Sequence, residues 1–586
     1  MHKKKLQKIA LLDATPLQSD YLLSVYGTFK LSFDKLPLPA QTFLQLCSFI
    51  HHDGISEDIF QQAAEYEPKD FPKQEDLAEP LEFLKQFLHS TNSEWNPIKF
   101  IGVTNVLVQY SLIDCQPGAQ VITFSIHPLV HEWCRTTVQA GASTELCMHK
   151  LIGMSLHYFT SFPSPQFFPH VDALLFERLD GSKRQPHVLD MSFASGFLEL
   201  YDQETKWIEG VELGTFMLPR ASFLPQSEYR RFQKCLARLH NDRGQPEKAR
   251  ELQESVLSWT MGLRGVNHSE TLSIMSALAL TYRDLGRFKE AEELQLKVIE
   301  ITQKSIGDTH ADFLPMLANL AITYHEQGRY KEAERLQSGI LNRAQELLGE
   351  DHPNTLRAMT TLAWTYRDLR KFKEAESLQI RSLEKYKRIM GPDHPATLKS
   401  MATLAGTYLE LRKCDEAEEL YSTVLEKRLE ILGEDHPDTL TTMSNLSATY
   451  LCQKRLTEAE ELQVKALAKI QSSLGKEHPH ALNAMGKLAH IYRDQGKMRE
   501  AEILATDLLS KSQKTLGPDH VHTRAATELL HQLLIAKGSL YLARGWHEQL
   551  LSLRTRALGA EHHLTKESAG DLAKTIWEME GSQLSS

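Results

Sequence analysis

The chain has 586 residues with 66 basic and 76 acidic side chains and a formal net charge of −10. It is too long for one hydrophobic core, and its general field disfavours nucleic acid. Hydrophobic residues make up 41% and charged residues 24%, the proportions of a soluble folded protein, and no window approaches the ~18 apolar residues of a helical membrane span.

The lead, residues 1–19, is basic. Its apolar run Ile9–Leu12 stops at Asp13, short of the ~7–15 residues of a secretory apolar region. The seven cysteines (Cys47, Cys115, Cys134, Cys147, Cys235, Cys414, Cys452) show no Cys-x-x-Cys and no paired spacing. That pattern favours a reducing compartment, so the expected location is cytoplasmic.

From Tyr21 the text becomes denser. Gln41–Phe49 reads as an amphipathic helix start, and Ser56-Glu57-Asp58 offers a cap with acids before Ile59 and Phe60. Pro97–Leu112 carries apolar residues at helical spacing, Pro117-Gly118 marks a turn, Val121–Ile126 is extended, and His127–Arg135 opens another helix. Helix, helix, helix, turn, strand, helix is the order of a winged helix. The strings SVYGTFKLSFDKL, FLQLCSFIHHDGISEDIF and FSIHPLVHEWC resemble the winged-helix segment of NB-ARC/STAND signalling ATPases that precede tetratricopeptide repeats. The resemblance covers about residues 20–140. In that family a Met-His-Asp motif begins the last helix and its His senses nucleotide; here Ile126-His127-Pro128 keeps only the His. No Gly-x-x-x-x-Gly-Lys-Ser/Thr occurs, the closest strings being Gly181-Ser-Lys and Gly486-Lys-Leu. Without a cradle of backbone N–H groups and a Lys, phosphate has no seat. The chain reads as such a protein with its ATPase module missing, and no cofactor is expected.

Residues 141–226 read as a linker that ends in a degenerate repeat, because Tyr201–Leu213 parallels Tyr282–Leu294. Residues 227–562 then keep a strict period. Gly-x-x-His recurs at Gly265, Gly307, Gly349, Gly391, Gly433, Gly475, Gly517 and Gly559, always 42 residues apart. Tyr282, Tyr324, Tyr366, Tyr408, Tyr450 and Tyr492 keep the same beat, as does the Ala series from Ala249 to Ala543. A period of ~20–50 residues signals stacked supersecondary units. Leu272, Met275, Leu278, Ala279 and Tyr282 share one helical face, and Gly286 ends that helix. Phe288, Ala291, Leu294, Val298 and Ile301 share the next. The pattern resembles tetratricopeptide repeats in the 42-residue form of kinesin light chains, eight in number. Leu534 and Trp546 depart from it, so the eighth unit reads as a cap, followed by a helix near Lys566–Met579 in a tail spanning 563–586. The expected fold is mainly α: a winged-helix-like domain followed by an α-α superhelix.

The periodic histidines are one per repeat and do not converge, so they read as helix caps or packing groups rather than zinc ligands. His127 and His131 make half a metal site at most, beside a core Trp133. The winged-helix region carries 7 basic and 15 acidic residues between Asp20 and Ala140, which argues against DNA. No catalytic constellation is recognisable, so no enzyme is expected.

In the resembling family the first helix of each repeat lines the concave groove. One register there runs Ala277, Asn319, Thr361, Thr403, Asn445, Lys487, and an amide at this position can hold a ligand backbone. A second is acidic: Asp284, Glu326, Asp368, Glu410, Asp494, with Cys452 interposed and Arg283, Arg367 and Arg493 beside three of the acids. The functional expectation is a protein-binding scaffold that takes extended segments of somewhat basic character, with no nucleic acid and no membrane. The alternatives are the sensor part of an NB-ARC ATPase and a kinesin-light-chain-like cargo adaptor. Residues 1–225 lack the heptads that would favour the last.

Overall fold

The computed structural model describes residues 16–558 except 68–71, 90–93, 118–121, 138–141, 157–166, 179–183, 307–312, 517–520 and 538, with part of 560–576. The basic lead up to residue 15 lies outside the described residues, as does most of the expected tail. The chain divides into two compact units, Met1–Leu236 and Ala237–Ser586. Among the described residues no helix is long and apolar enough to cross a membrane.

The first unit is built around aromatic side chains. Helix Leu38–Cys47 starts with Pro in its first turn, where a missing N–H costs nothing. Helix Pro97–Gln109 is capped by Asn96, whose side chain accepts from the N–H groups of Ile98 (3.1 Å) and Lys99 (3.3 Å). Between and after the helices lie three strands, β1 (Ile55–Ser56), β2 (Ile113–Pro117) and β3 (Ile122–Ile126), all antiparallel in the order β1-β3-β2. Phe43 fills the centre, with ring centroids 5.0 Å from Phe60, 5.5 Å from Phe100 and 5.4 Å from Phe124. Trp133 is buried, edge-on to Phe33 at 5.6 Å. Its neighbour His131 bonds the Ile50 carbonyl through Nε2 (2.8 Å), and burial pulls its pKa down to about 4. His127 Nδ1 accepts from the Leu129 N–H (3.3 Å). Among the described residues no group of three His, Cys, Asp or Glu is arranged for a metal.

Helices Ala194–Gln203 and Trp207–Ala221 follow in the same unit. Thr205 between them has φ 55°, and Lys206 N–H bonds Tyr201 O at 2.9 Å. The same turn recurs at Gly286 (φ 70°), where Arg287 N–H bonds Tyr282 O at 2.8 Å.

From Gln226 to Leu558 run eight helix pairs, numbered here as repeats 1–8. Their most regular residues are joints. His268, His352, His394, His436 and His478 each cap the following helix, Nδ1 accepting from the N–H two residues on at 3.1 Å. The preceding Gly265, Gly349, Gly391, Gly433 and Gly475 have φ between 79° and 100°, a conformation closed to most residues. His310, His520 and His562 lie outside the described residues. Ala249, Ala291, Ala333, Ala375, Ala417, Ala459 and Ala501 are fully buried, which lets paired helices approach closely. The Tyr series lies under a second periodic row. Arg287, Arg329, Lys371, Lys413, Arg455 and Lys497 each sit over the preceding Tyr ring, 4.0–5.5 Å from its centroid. Five of these cations also reach a Glu 37 residues back, in Arg329–Glu292, Lys371–Glu334, Lys413–Glu376, Arg455–Glu418 and Lys497–Glu460. Repeats are thus fastened to their predecessors by geometry the period itself supplies.

Successive first helices pack on one another more closely than successive second helices do, so the first helices lie on the inside of the curve. The curve also meets itself. His478 of repeat 7 accepts its cap bond through Nδ1, which leaves the proton on Nε2 to donate to the Asp242 carbonyl of repeat 1 at 2.9 Å, 236 residues away. A Cβ on Gly244 would lie 2.4 Å from Pro479 Cδ.

One expectation fails here. Cys414 and Cys452 are joined in a disulfide with Cα atoms 6.2 Å apart, although their spacing suggested no pair. A separation of 38 is one helical turn short of the repeat period, which brings the start of one second helix beside the end of the next first helix.

Candidate functional site

The first helices carry both registers singled out from the sequence. Asn319, Thr361, Thr403, Asn445 and Lys487 are all half-buried, while Ala277 is exposed. Their polar groups are not equally free. Thr361 Oγ1 donates to Ala358 O (3.1 Å) and Thr403 Oγ1 to Lys399 O (2.8 Å), so both hydroxyl protons are spent on their own helices. Lys487 Nζ reaches back one repeat to Asn445 Oδ1 (2.6 Å) and Ser444 O (3.4 Å). Burial lowers the Lys487 pKa to about 8, since both oxygens are neutral and no carboxylate offsets the desolvation. Asn445 therefore keeps its NH2 but only part of its acceptor capacity, whereas the Asn319 amide bonds nothing among the described residues.

The acidic register is largely spoken for. Arg283 bonds Asp284 (3.3 Å) and lies 3.5 Å from Glu326 of the next repeat. His325 Nε2 is 2.7 Å from Asp368, which Arg367 also meets at 3.3 Å. Arg493 holds Asp494 at 3.0 Å, and Lys454 of the preceding repeat stands 3.6 Å away. Glu410 is exposed. Burial raises the carboxyls of Asp284 and Glu326 above their usual range despite Arg283. Asp368 feels the same burial, yet its bonds to His325 and Arg367 outweigh it and leave the carboxyl low. The acids beside Arg283, Arg367 and Arg493 are thus paired locally, and the row offers less negative charge than its sequence suggests.

Two features escaped the sequence. The 42-residue step from Asn445 to Lys487 was visible, but not that a Lys would span it. A cleft of about 490 Å³ also opens between the second helices of repeats 3 and 4, beside Leu341, Tyr366, Lys373, Ser377 and Arg381. Its lining is drawn from three helices and has no contiguous signature.

A tetratricopeptide-repeat family model matches residues 230–304, 312–387, 366–428, 403–469 and 438–514. The array is a tetratricopeptide solenoid. A second model, described as a domain of unknown function (DUF7779), matches residues 31–143. No curated protein matches the chain. Similar solved structures include the nearly identical TPR-like repeats named for a Podosopora anserina kinesin light chain, at 27% identity over 34% of this chain and 95% of that one, TM-score 0.30. A STAND protein with a tetratricopeptide repeat sensor from Pyrococcus horikoshii aligns at 16% identity over 82% of this chain and 64% of that one, TM-score 0.39. A Rap protein complexed with Competence and Sporulation Factor aligns at 12% identity, over 60% of this chain and 98% of that one, TM-score 0.35.

Proposed function

We propose that the solenoid is a non-enzymatic scaffold that binds extended segments of partner proteins along its inner face. The observation that carries this reading is the half-buried polar row from Asn319 to Lys487, in which Asn319 keeps its whole amide and Asn445 its NH2. An amide offers a donor and an acceptor to a peptide backbone, and a partly desolvated site makes such bonds count. The partner need not be basic throughout. The exposed Glu410 favours a cation, whereas Lys487, bonded only to neutral oxygens, favours an acceptor.

The N-terminal part, residues 20–140, is assigned as a winged-helix-like domain related to STAND signalling proteins. Support comes from the order helix, β1, helices, β2, β3 and the strand arrangement β1-β3-β2. Residues 141–226 are assigned as a linker with a degenerate first repeat, on the strength of the shared left-handed turn at Thr205. The regular repeats occupy 227–562.

Partners identified by proximity labelling of the full chain provide the test. The Asn319→Ala/Asn445→Ala variant should bind them about 10–100-fold more weakly, the loss of two or three desolvated hydrogen bonds. Unchanged partner sets and affinities remove the inner-face assignment.

A further inference from the structure

The turn row of the array changes character in its middle. Gly286, Gly328 and Gly496 close the first helices of repeats 2, 3 and 7 with positive φ. Repeats 4, 5 and 6 place Arg370 (φ 59°), Arg412 (φ 59°) and Lys454 (φ 64°) there instead. A non-glycine residue held left-handed is disfavoured by its own Cβ, so three consecutive turns carry strain. The cysteine pair sits within that stretch, Cys414 two residues after Arg412 and Cys452 two residues before Lys454. At four other junctions of the array the same two positions hold an apolar or aromatic residue and an acid: Phe288 with Glu326, Tyr330 with Asp368, Phe372 with Glu410, Leu456 with Asp494. Both positions become cysteine together, once, where the turns are least favourable.

We propose that Cys414 and Cys452 are a reversible redox site that fastens repeats 5 and 6 when oxidised and loosens their junction when reduced. The inference is independent of what the inner face binds. Cα atoms 6.2 Å apart lie within the span a disulfide bridges without backbone movement. Both residues are half-buried, whereas Cys47, Cys134, Cys147 and Cys235 are buried. Burial pushes the Cys134 and Cys147 thiols up to about 12, which withholds their reactive thiolates. Cys414 is the first residue of helix Cys414–Leu432 and Cys452 the last of helix Pro437–Cys452, so the bond ties two helix ends together.

A small disulfide such as oxidised glutathione supplies the oxidant. The first cysteine thiolate attacks it, forming a mixed disulfide and releasing one glutathione thiol. The second cysteine attacks the mixed bond and releases the other glutathione. The protein loses two protons and two electrons, and the small disulfide gains them. A dithiol reverses both steps.

The test uses the full chain equilibrated with oxidised glutathione or with dithiothreitol, then denatured and labelled with a maleimide. The reduced sample should take up label at all seven cysteines, and the oxidised one should lose it at Cys414 and Cys452 alone. Backbone hydrogen exchange on the native samples should be at least about fivefold faster after reduction in the turns around Arg412 and Lys454. The Cys414→Ser/Cys452→Ser variant should exchange like the reduced protein in either buffer. Seven labelled cysteines after oxidation overturn the redox site. Protected cysteines with unchanged exchange overturn the fastening role. Thiol counting on the unaltered chain decides the first point even if the variant folds poorly.

Discussion

The two units solve the burial problem in opposite ways. In the first, Phe43 meets Phe60, Phe100 and Phe124 across the sequence, so one centre joins several elements and losing it affects them together. In the second, the same buried Ala and the same Tyr under a cation recur within repeats, and a Glu 37 residues back fastens five of them to the repeat before. Damage there should stay local. Cooperativity follows from where the contacts lie, not from how many there are.

The largest expected effect tests the first half of that contrast. Phe100→Ala removes a fully buried ring and should destabilise the N-terminal unit by about 3–5 kcal/mol. Urea unfolding followed separately in each unit should show the N-terminal transition shifted and the array's unchanged; a common shift would mean the units unfold as one.

Acid should separate them next. Burial lowers His131 and His170 in the first unit and His240 and His478 in the array from 6.5 to about 4. Because the folded pKa is the lower one, the unfolded chain binds more protons between these values. Stability falls as pH drops from about 6.5 to about 4, by up to roughly 3 kcal/mol per group. Hydrogen exchange across that window should show the N-terminal unit opening as a whole and the array opening only near repeats 1 and 7. Uniform opening of the array would contradict the local picture.

The smallest effect concerns a single joint. His352→Ala removes the cap on Asn354 N–H and should cost about 1 kcal/mol, while His352→Asn, which keeps an acceptor, should restore most of it. Both are measurable by thermal unfolding. Equal losses in the two variants would show that His352 acts by packing instead.

The array was the legible part of the chain because its signals are local and repeated. A Gly-x-x-His that recurs every 42 residues reports a turn and a cap together, and the structure forms that cap wherever the histidine is described. The N-terminal unit was less legible. Val121–Ile126 reads as a strand, but β2 was missed because Asp114, Gln116 and Pro117 dilute its pattern; it is specified by its partner, Ile113 pairing with Ile126 and Cys115 with Phe124. On the inner face the residue positions could be read off the period, but their bonding could not. That Lys487 occupies Asn445, and that His325 and Arg283 reach the acids of the next repeat, depends on side-chain reach between helices. The cysteine pair belongs to the same class.

The bond from His478 to Asp242 sets a condition on copy number. Stacked repeats usually tolerate gain or loss of a unit, since each new copy finds the same neighbour. Here a donor on repeat 7 must meet a carbonyl on repeat 1, 236 residues earlier. One unit added or deleted between them would carry the two past each other by a full step of the superhelix. The contact acts as a gauge of length, and it can close only after every intervening repeat has been laid down.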